Sequence, residues 1–239
     1  MSINLPHGLV EIGDILGFSW PEIDEDQLFE AGVHLRAYAE HASAASAAHG
    51  LQIADLGGHY EGHSYSALAG ARSDRSKGNL ETLIQGCHQL AGGIDLAADA
   101  VVVMKGKVIV QLGIAAGEFA AAQFGAVVTL GAAEAAAAAL IAAQNRILNG
   151  IFNECIAEVV AQLVVETLKP VSEQIDEAVK KLLYDDVVEN AGPSNTLKVD
   201  PVVLRGHAAQ MTARAEESQR AGWDLSSKLD RLQFLTAGR

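Results

Sequence analysis

Apolar and small residues recur along this chain in alternating steps of three and four, the repeat of one helix face, and hardly anywhere in steps of two. The first such stripe is Leu28, Ala31, Leu35, Tyr38, Ala42 and Ala45. It follows Ser19-Trp20-Pro21-Glu22-Ile23-Asp24-Glu25-Asp26, where proline suits a first turn and the acidic side chains face the positive end of the helix dipole, so a helix is predicted from near Asp24. Gly57-Gly58-His59-Tyr60-Glu61-Gly62 then predicts a turn between two helices. The stripe resumes at Tyr65, Leu68, Leu80, Leu83, Cys87 and Leu90, which makes an antiparallel hairpin ended by Gly92-Gly93.

From Ile94 to Leu168 the helical pattern is nearly continuous but studded with Gly106, Gly113, Gly117, Gly125, Gly131 and Gly150. An exposed glycine costs a helix about 1 kcal/mol relative to alanine, so these imply close helix approach or breaks among two or three long helices. A further helix is predicted from Val171 to Glu189, behind Pro170, and Asn190-Ala191-Gly192-Pro193-Ser194-Asn195 reads as a linker. Asp200-Pro201 then supplies an N-cap and a first-turn proline. The stripe beyond it (Leu204, Ala208, Met211, Ala215, Ser218, Gly222, Leu225, Leu229, Leu232) keeps the four-three alternation of a coiled-coil-like seam, on one helix or on a hairpin pivoting at Gly222. Leu204, Met211, Leu225 and Leu229 are the candidate partner interface.

The predicted fold is therefore all-α, an elongated helical bundle with long antiparallel helices and helical hairpins. Its expected divisions are an N-terminal arm over 1–20, a hairpin over 21–93, an Ala/Gly-rich long-helix region over 94–189, a linker over 190–196 and an amphipathic helix or hairpin over 197–239.

Composition sharpens this picture. Hydrophobic residues make up 49% of the 239 and aromatic ones only 5%, which suits close-packed helices better than strands. A formal charge of -13 with no Lys/Arg cluster repels phosphate, and argues against nucleic acid and anionic membrane surfaces as partners. The apolar region Val108–Ala143 is interrupted by Glu118 and Glu134; the uncharged stretch Phe119–Ala133 falls short of the roughly 20 residues a spanning helix needs, so a buried helix is expected. MSINLPHGLVEIGDILGFSWP has no basic residues ahead of its apolar ones and carries Glu11 and Asp14, which predicts that it is not a cleaved signal peptide and that any export uses another route. Cys87 and Cys155 sit in apolar helical patterns and read as small buried thiols rather than a disulfide.

No catalytic constellation is legible, and none is predicted, nor is a cofactor or a metal. His59 and His63 have zinc-compatible spacing in a glycine-rich turn, but Glu61 lies two residues after the first histidine rather than next to it. His34 and His41 read as groove or surface residues. Asp24-Glu25-Asp26 lacks the glycine and late glutamate of a calcium loop and reads as acidity at a helix N-terminus. The chain has no phosphate loop, no Gly-x-Ser-x-Gly elbow and no cysteine pair at metal spacing.

The segment Trp20-Pro21-Glu22-Ile23-Asp24-Glu25-Asp26-Gln27-Leu28, then a small-residue helix, a Gly-rich turn and a long Ala-rich region, resembles the N-terminal domain of actinobacterial type VII-secreted channel-forming and polymorphic toxins, which is related to the small WxG helical-hairpin proteins. The likeness covers residues 15 to 170. Trp20, Pro21, Asp24, Asp26, Tyr60 and Gly62 carry it, with Tyr60-Glu61-Gly62 where the family has Trp-x-Gly. The tail Val199-Asp200-Pro201-Val202-Val203-Leu204-Arg205-Gly206-His207-Ala208 looks like the start of the partner proteins of the same system. No Tyr-x-x-x-Asp/Glu export signal is present: Ala42, Ser64, Ala69 and Val188 stand four residues after the tyrosines.

The resemblance implies a non-enzymatic targeting and partner-binding module, secreted by the type VII route without a cleaved signal peptide, or cytoplasmic before export. Its partners are then another helical WxG-type protein or a copy of itself, and the secretion machinery. A membrane enters only under the alternative of a channel-forming protein whose middle helices insert after oligomerising. A cytoplasmic chaperone or immunity-like binder of a toxin is the third reading.

Overall fold

The structure, a computed structural model, describes residues 2–61, 65–66, 70, 77–126, 133–184 and 198–235. It is an all-α helical bundle. Its elements are α1 (His7–Leu16), α2 (Glu25–His59), α3 (Lys77–Ala126), α4 (Ala133–Val159), a π-helical stretch (Val160–Leu168), α5 (Lys169–Tyr184) and α6 (Pro201–Arg231). Two short strands, β1 (Tyr60–Glu61) and β2 (Lys198–Val199), pair antiparallel, Tyr60 opposite Val199 and Glu61 opposite Lys198.

Local chemistry accounts for several boundaries. The expected N-terminal arm holds α1, which stops where Gly17 adopts φ 64° and its N–H donates to Asp14 O; glycine meets no steric penalty in that left-handed conformation. Helix α2 starts where predicted, capped by Asp24, whose Oδ1 accepts from the Asp26 and Gln27 amides at 3.0 and 3.2 Å. It runs on through Gly57 and Gly58 to His59, so the turn predicted from Gly57 does not begin there. A Cβ on Gly57 would overlap the Tyr65 ring and hydroxyl, so a larger residue here would require Tyr65 to shift.

Gly92 and Gly93 do not end a helix either; α3 passes through both. The π-helical stretch leads into Pro170, whose ring and missing N–H bar the ordinary bond to the Glu166 carbonyl; the wider turn lets the helix continue as α5. Asp200 caps α6, its Oδ1 accepting from Val202 N at 2.9 Å and Val203 N at 3.3 Å. That helix is unbroken at Gly222, so the tail is one helix and not a hairpin. The linker 190–195 and Gly62 lie outside the described residues.

The chain divides into two compact units built from interleaved segments. The first holds Met1–Glu30, Gly93–Glu166 and Gln233–Arg239. Its core comes from α1, α3 and α4: Leu16, Val101, Met104, Val108, Leu112, Ala115, Leu148 and Cys155 are buried together, with Trp20, Ile23, Leu28, Ile151 and Phe152 packed on them. The second holds Ala31–Gly92 and Thr167–Leu232, where Ala31, Leu35, Ala39, Ile53, Leu56, Cys87, Ala91 and Val171 are buried. Both cysteines are free and buried. Burial raises the pKa of each thiol, and for Cys155 the neighbouring Glu158 adds to the effect.

Candidate functional site

Helix α3 in the first unit carries two opposed faces. The inward one is Ala97, Val101, Met104, Val108, Leu112 and Ala115, all at most 2% exposed. On the opposite side Leu96, Val103, Val110 and Ile114 are 52%, 55%, 64% and 48% exposed. At 100° per residue these four fall within a narrow stripe, and Gly106, Gly113 and Gly117 lie beside it. Nothing stands within 4 Å of where a Cβ on any of these glycines would lie. Close approach inside the described chain therefore does not explain them; they leave open backbone next to an apolar seam.

The middle of this helix is anchored by a buried ion pair. Lys105 Nζ lies 2.5 Å from Glu25 Oε2, with the two side chains 1% and 3% exposed. It also donates to Ile23 O at 2.7 Å and Ser2 Oγ at 3.3 Å, and sits 5.9 Å from the Trp20 ring centroid. Glu25 accepts in addition from the Ile3 amide and from Ser2 Oγ, the latter at 3.1 Å. Burial alone would raise the Glu25 pKa; the Ile3 amide and the Lys105 ammonium outweigh it and hold the carboxyl below its ordinary value. Both charges are thus matched by several partners, the condition for tolerating them in a dry interior.

This geometry shows what the Trp-Pro segment does locally. Trp20 packs on the core beside Lys105, Pro21 is buried, Asp24 caps α2, and the Asp24 amide donates to Phe234 O at 2.9 Å, while Ile23 bridges Leu235. Asp26 occupies the first turn of α2. Tyr60 is in the second unit, paired with Val199 and packed edge-to-face on Tyr65 at 6.3 Å. Glu25 also lies in the first turn of α2, and its burial against Lys105 is a feature the sequence reading did not include. Lys105 was missed: the run Val101–Val110 also holds Lys107, which is exposed beside Glu154, and the sequence does not tell the buried lysine from the exposed one.

In the second unit α6 packs along α2. Met211 and Leu225 are half-buried in grooves that Tyr38 and His41 also line, Leu229 is half-buried, and Leu204 is 38% exposed. Gln52, 6% exposed, fastens the two helices by donating to His207 O and Gln210 Oε1, each at 3.1 Å, and His207 Nε2 faces Asp55 Oδ2 at 3.4 Å.

Among the described residues no group of three His, Cys, Asp or Glu side chains could hold a metal ion. Two helical stretches, Gly78–Ala121 and Ala137–Glu177, are long and apolar enough to cross a membrane. The most apolar window of the second is only 11% buried, with Ile147, Ile156, Val160, Val164, Val165 and Leu168 exposed.

The architecture is that of an all-α helical bundle with a buried ion pair in its first unit. The WXG100-like domain family matches residues 7–145, more than half of the chain, and the chain belongs to that family. Domains of this family are helical, non-enzymatic and tied to type VII secretion. No curated protein and no solved structure matches the chain.

Proposed function

We propose that the chain is a non-catalytic partner-binding module of type VII secretion, which pairs through the outer face of α3 with a second helical protein or a copy of itself before the pair meets the secretion machinery. The exposed residues Leu96, Val103, Val110 and Ile114, which share their side of α3 with Asp99 and with Lys107 paired to Glu154, carry this reading, because apolar side chains clustered on one exposed helix face with a polar rim mark interaction sites. The open backbone at Gly106, Gly113 and Gly117 supports it: a partner helix can approach closely there. In this reading Trp20, Pro21, Asp24 and Asp26 act indirectly, by setting α3 through Lys105. The tail residues Leu204, Met211, Leu225 and Leu229 form a second partner surface only if α6 leaves its groove on α2, so the α3 seam is the first to test.

In this reading the chain is exported without a cleaved signal peptide, and the partner supplies the Tyr-x-x-x-Asp/Glu signal, since no acidic residue stands four positions after any tyrosine here. The test is purification from the native host, with light scattering of the eluted species. A stoichiometric helical partner, or a homodimer, is expected, and Val103→Asp with Val110→Asp removes it while circular dichroism stays helical. A monomer that captures nothing, unchanged by the double substitution, rejects the proposal.

The second reading, membrane insertion after oligomerisation, is favoured by the exposed apolar length of Ala137–Glu177. Leakage of dye from vesicles by the purified protein would raise it above the first.

A further inference from the structure

In the second unit, α2, α3 and α6 enclose a groove whose chemistry differs from the rest of the molecule. Its floor is apolar, with Leu80 and Met211 among its lining side chains; its polar groups are Tyr38, His41, Ser46, His49, Arg214 and Ser218. In a chain of charge -13, no described carboxylate lines it. The neighbouring groove holds Glu217 and Asp224, but there Lys228 is already engaged by Asp224 at 2.6 Å and Arg220 by Glu216 at 3.3 Å.

Arg214 has no such neutralising contact among the described residues. His41 Nε2 is shut off from solvent without a hydrogen-bond partner, a desolvation cost that a ligand oxygen would recover once the imidazole turns toward the groove. Burial, with a smaller contribution from Cys87, raises the Tyr38 pKa, so its phenol remains a neutral O–H donor. Three donors thus border an apolar floor with nothing anionic among them.

We propose that this groove binds a small monocarboxylate with a compact apolar body, its carboxylate on Arg214, His41 and Tyr38 and its body on Leu80 and Met211. A cavity volume of about 170 Å³ sets the size. It is close to the roughly 150 Å³ cavity that holds a benzene ring, so one ring or a short branched chain fits and a lipid does not. The guanidinium is the strongest recognition element, because a planar charged fork matches a carboxylate in two parallel hydrogen bonds.

The test is calorimetric titration of the full chain with sodium benzoate, and with benzamide, which keeps the ring and removes the charge. Benzoate is expected to saturate with a Kd near or below about 1 mM, and benzamide to bind at least about tenfold more weakly. Arg214→Gln should weaken benzoate by a similar factor with circular dichroism unchanged. Ala42→Leu, which fills the groove without touching a charge, keeps the test decisive if Arg214→Gln does not fold: loss of benzoate binding supports the site. Equal binding of benzoate and benzamide, no saturation by benzoate, or retained binding in either folded variant overturns the proposal.

Discussion

The two units differ in the polar groups they bury. Both mix alanines with larger aliphatic side chains, Ala97 and Ala115 among Val101 and Leu112 in the first, Ala31 and Ala39 among Leu35 and Leu56 in the second. The first also buries both members of a charge pair, Lys105 and Glu25, whereas the second buries an uncharged amide, Gln52, on the backbone of α6, and His207 facing the exposed Asp55. A buried charge is costly to orphan and an amide less so; the first unit should therefore fail abruptly when a partner is removed, and the second should loosen by degrees.

The largest effect tests that contrast directly. Lys105→Met leaves Glu25 buried and unpaired, and should destabilise the first unit by about 3–5 kcal/mol. With Trp223→Phe as background, Trp20 is the sole tryptophan of the two, so denaturant unfolding followed by its fluorescence reports this unit. Adding Glu25→Leu should restore most of the loss, since replacing both charges by apolar groups is close to neutral. A single mutant as stable as the parent would remove the distinction between the units.

Acid sharpens the same point. The Glu25 carboxyl titrates below its ordinary 4.5 in the folded chain, so the unfolded chain binds the proton first. The stability this group contributes is present above pH 4.5 and is lost as pH falls through its folded value. Trp20-detected stability should drop over that acidic range in the parent and much less in Glu25→Gln.

Smaller effects belong to the second unit. Gln52→Leu gives up two hydrogen bonds and leaves the His207 carbonyl without one of them, for about 1–3 kcal/mol, read as faster amide exchange in α6 with little change in Trp20 fluorescence. Asp200→Ala removes the α6 cap and should cost about 1 kcal/mol, seen as fraying limited to the first turn. Global unfolding in either case would make the second unit as brittle as the first.

For the α3 seam, four side chains buried at about 1.5–3 kcal/mol each give roughly 6–12 kcal/mol at most, less because each is already partly covered. Association itself costs about 4–15 kcal/mol, so the seam holds a partner only when one helix covers its whole length. Losing two of the four, as in Val103→Asp with Val110→Asp, is then enough to abolish pairing.

The sequence by itself determined the helices: three-four spacing, the caps Asp24 and Asp200 and the first-turn Pro201 are local, and local chemistry suffices to start a helix, although Pro21 lies ahead of the α2 cap rather than in a first turn. It also carried the family likeness, through Trp20, Pro21 and Asp24. Where helices stop was less legible, because Gly57, Gly92 and Gly222 are helix breakers only if the surrounding contacts allow, and here packing carries the helix past each.

Which charges are buried and which apolar face is bare were decided by tertiary structure. Glu25 and Lys105 lie 80 residues apart, and no periodicity links them. Val101 and Val103 read alike in the sequence; one is 2% and the other 55% exposed because they stand on different sides of α3, and only Val101 joins the core cluster.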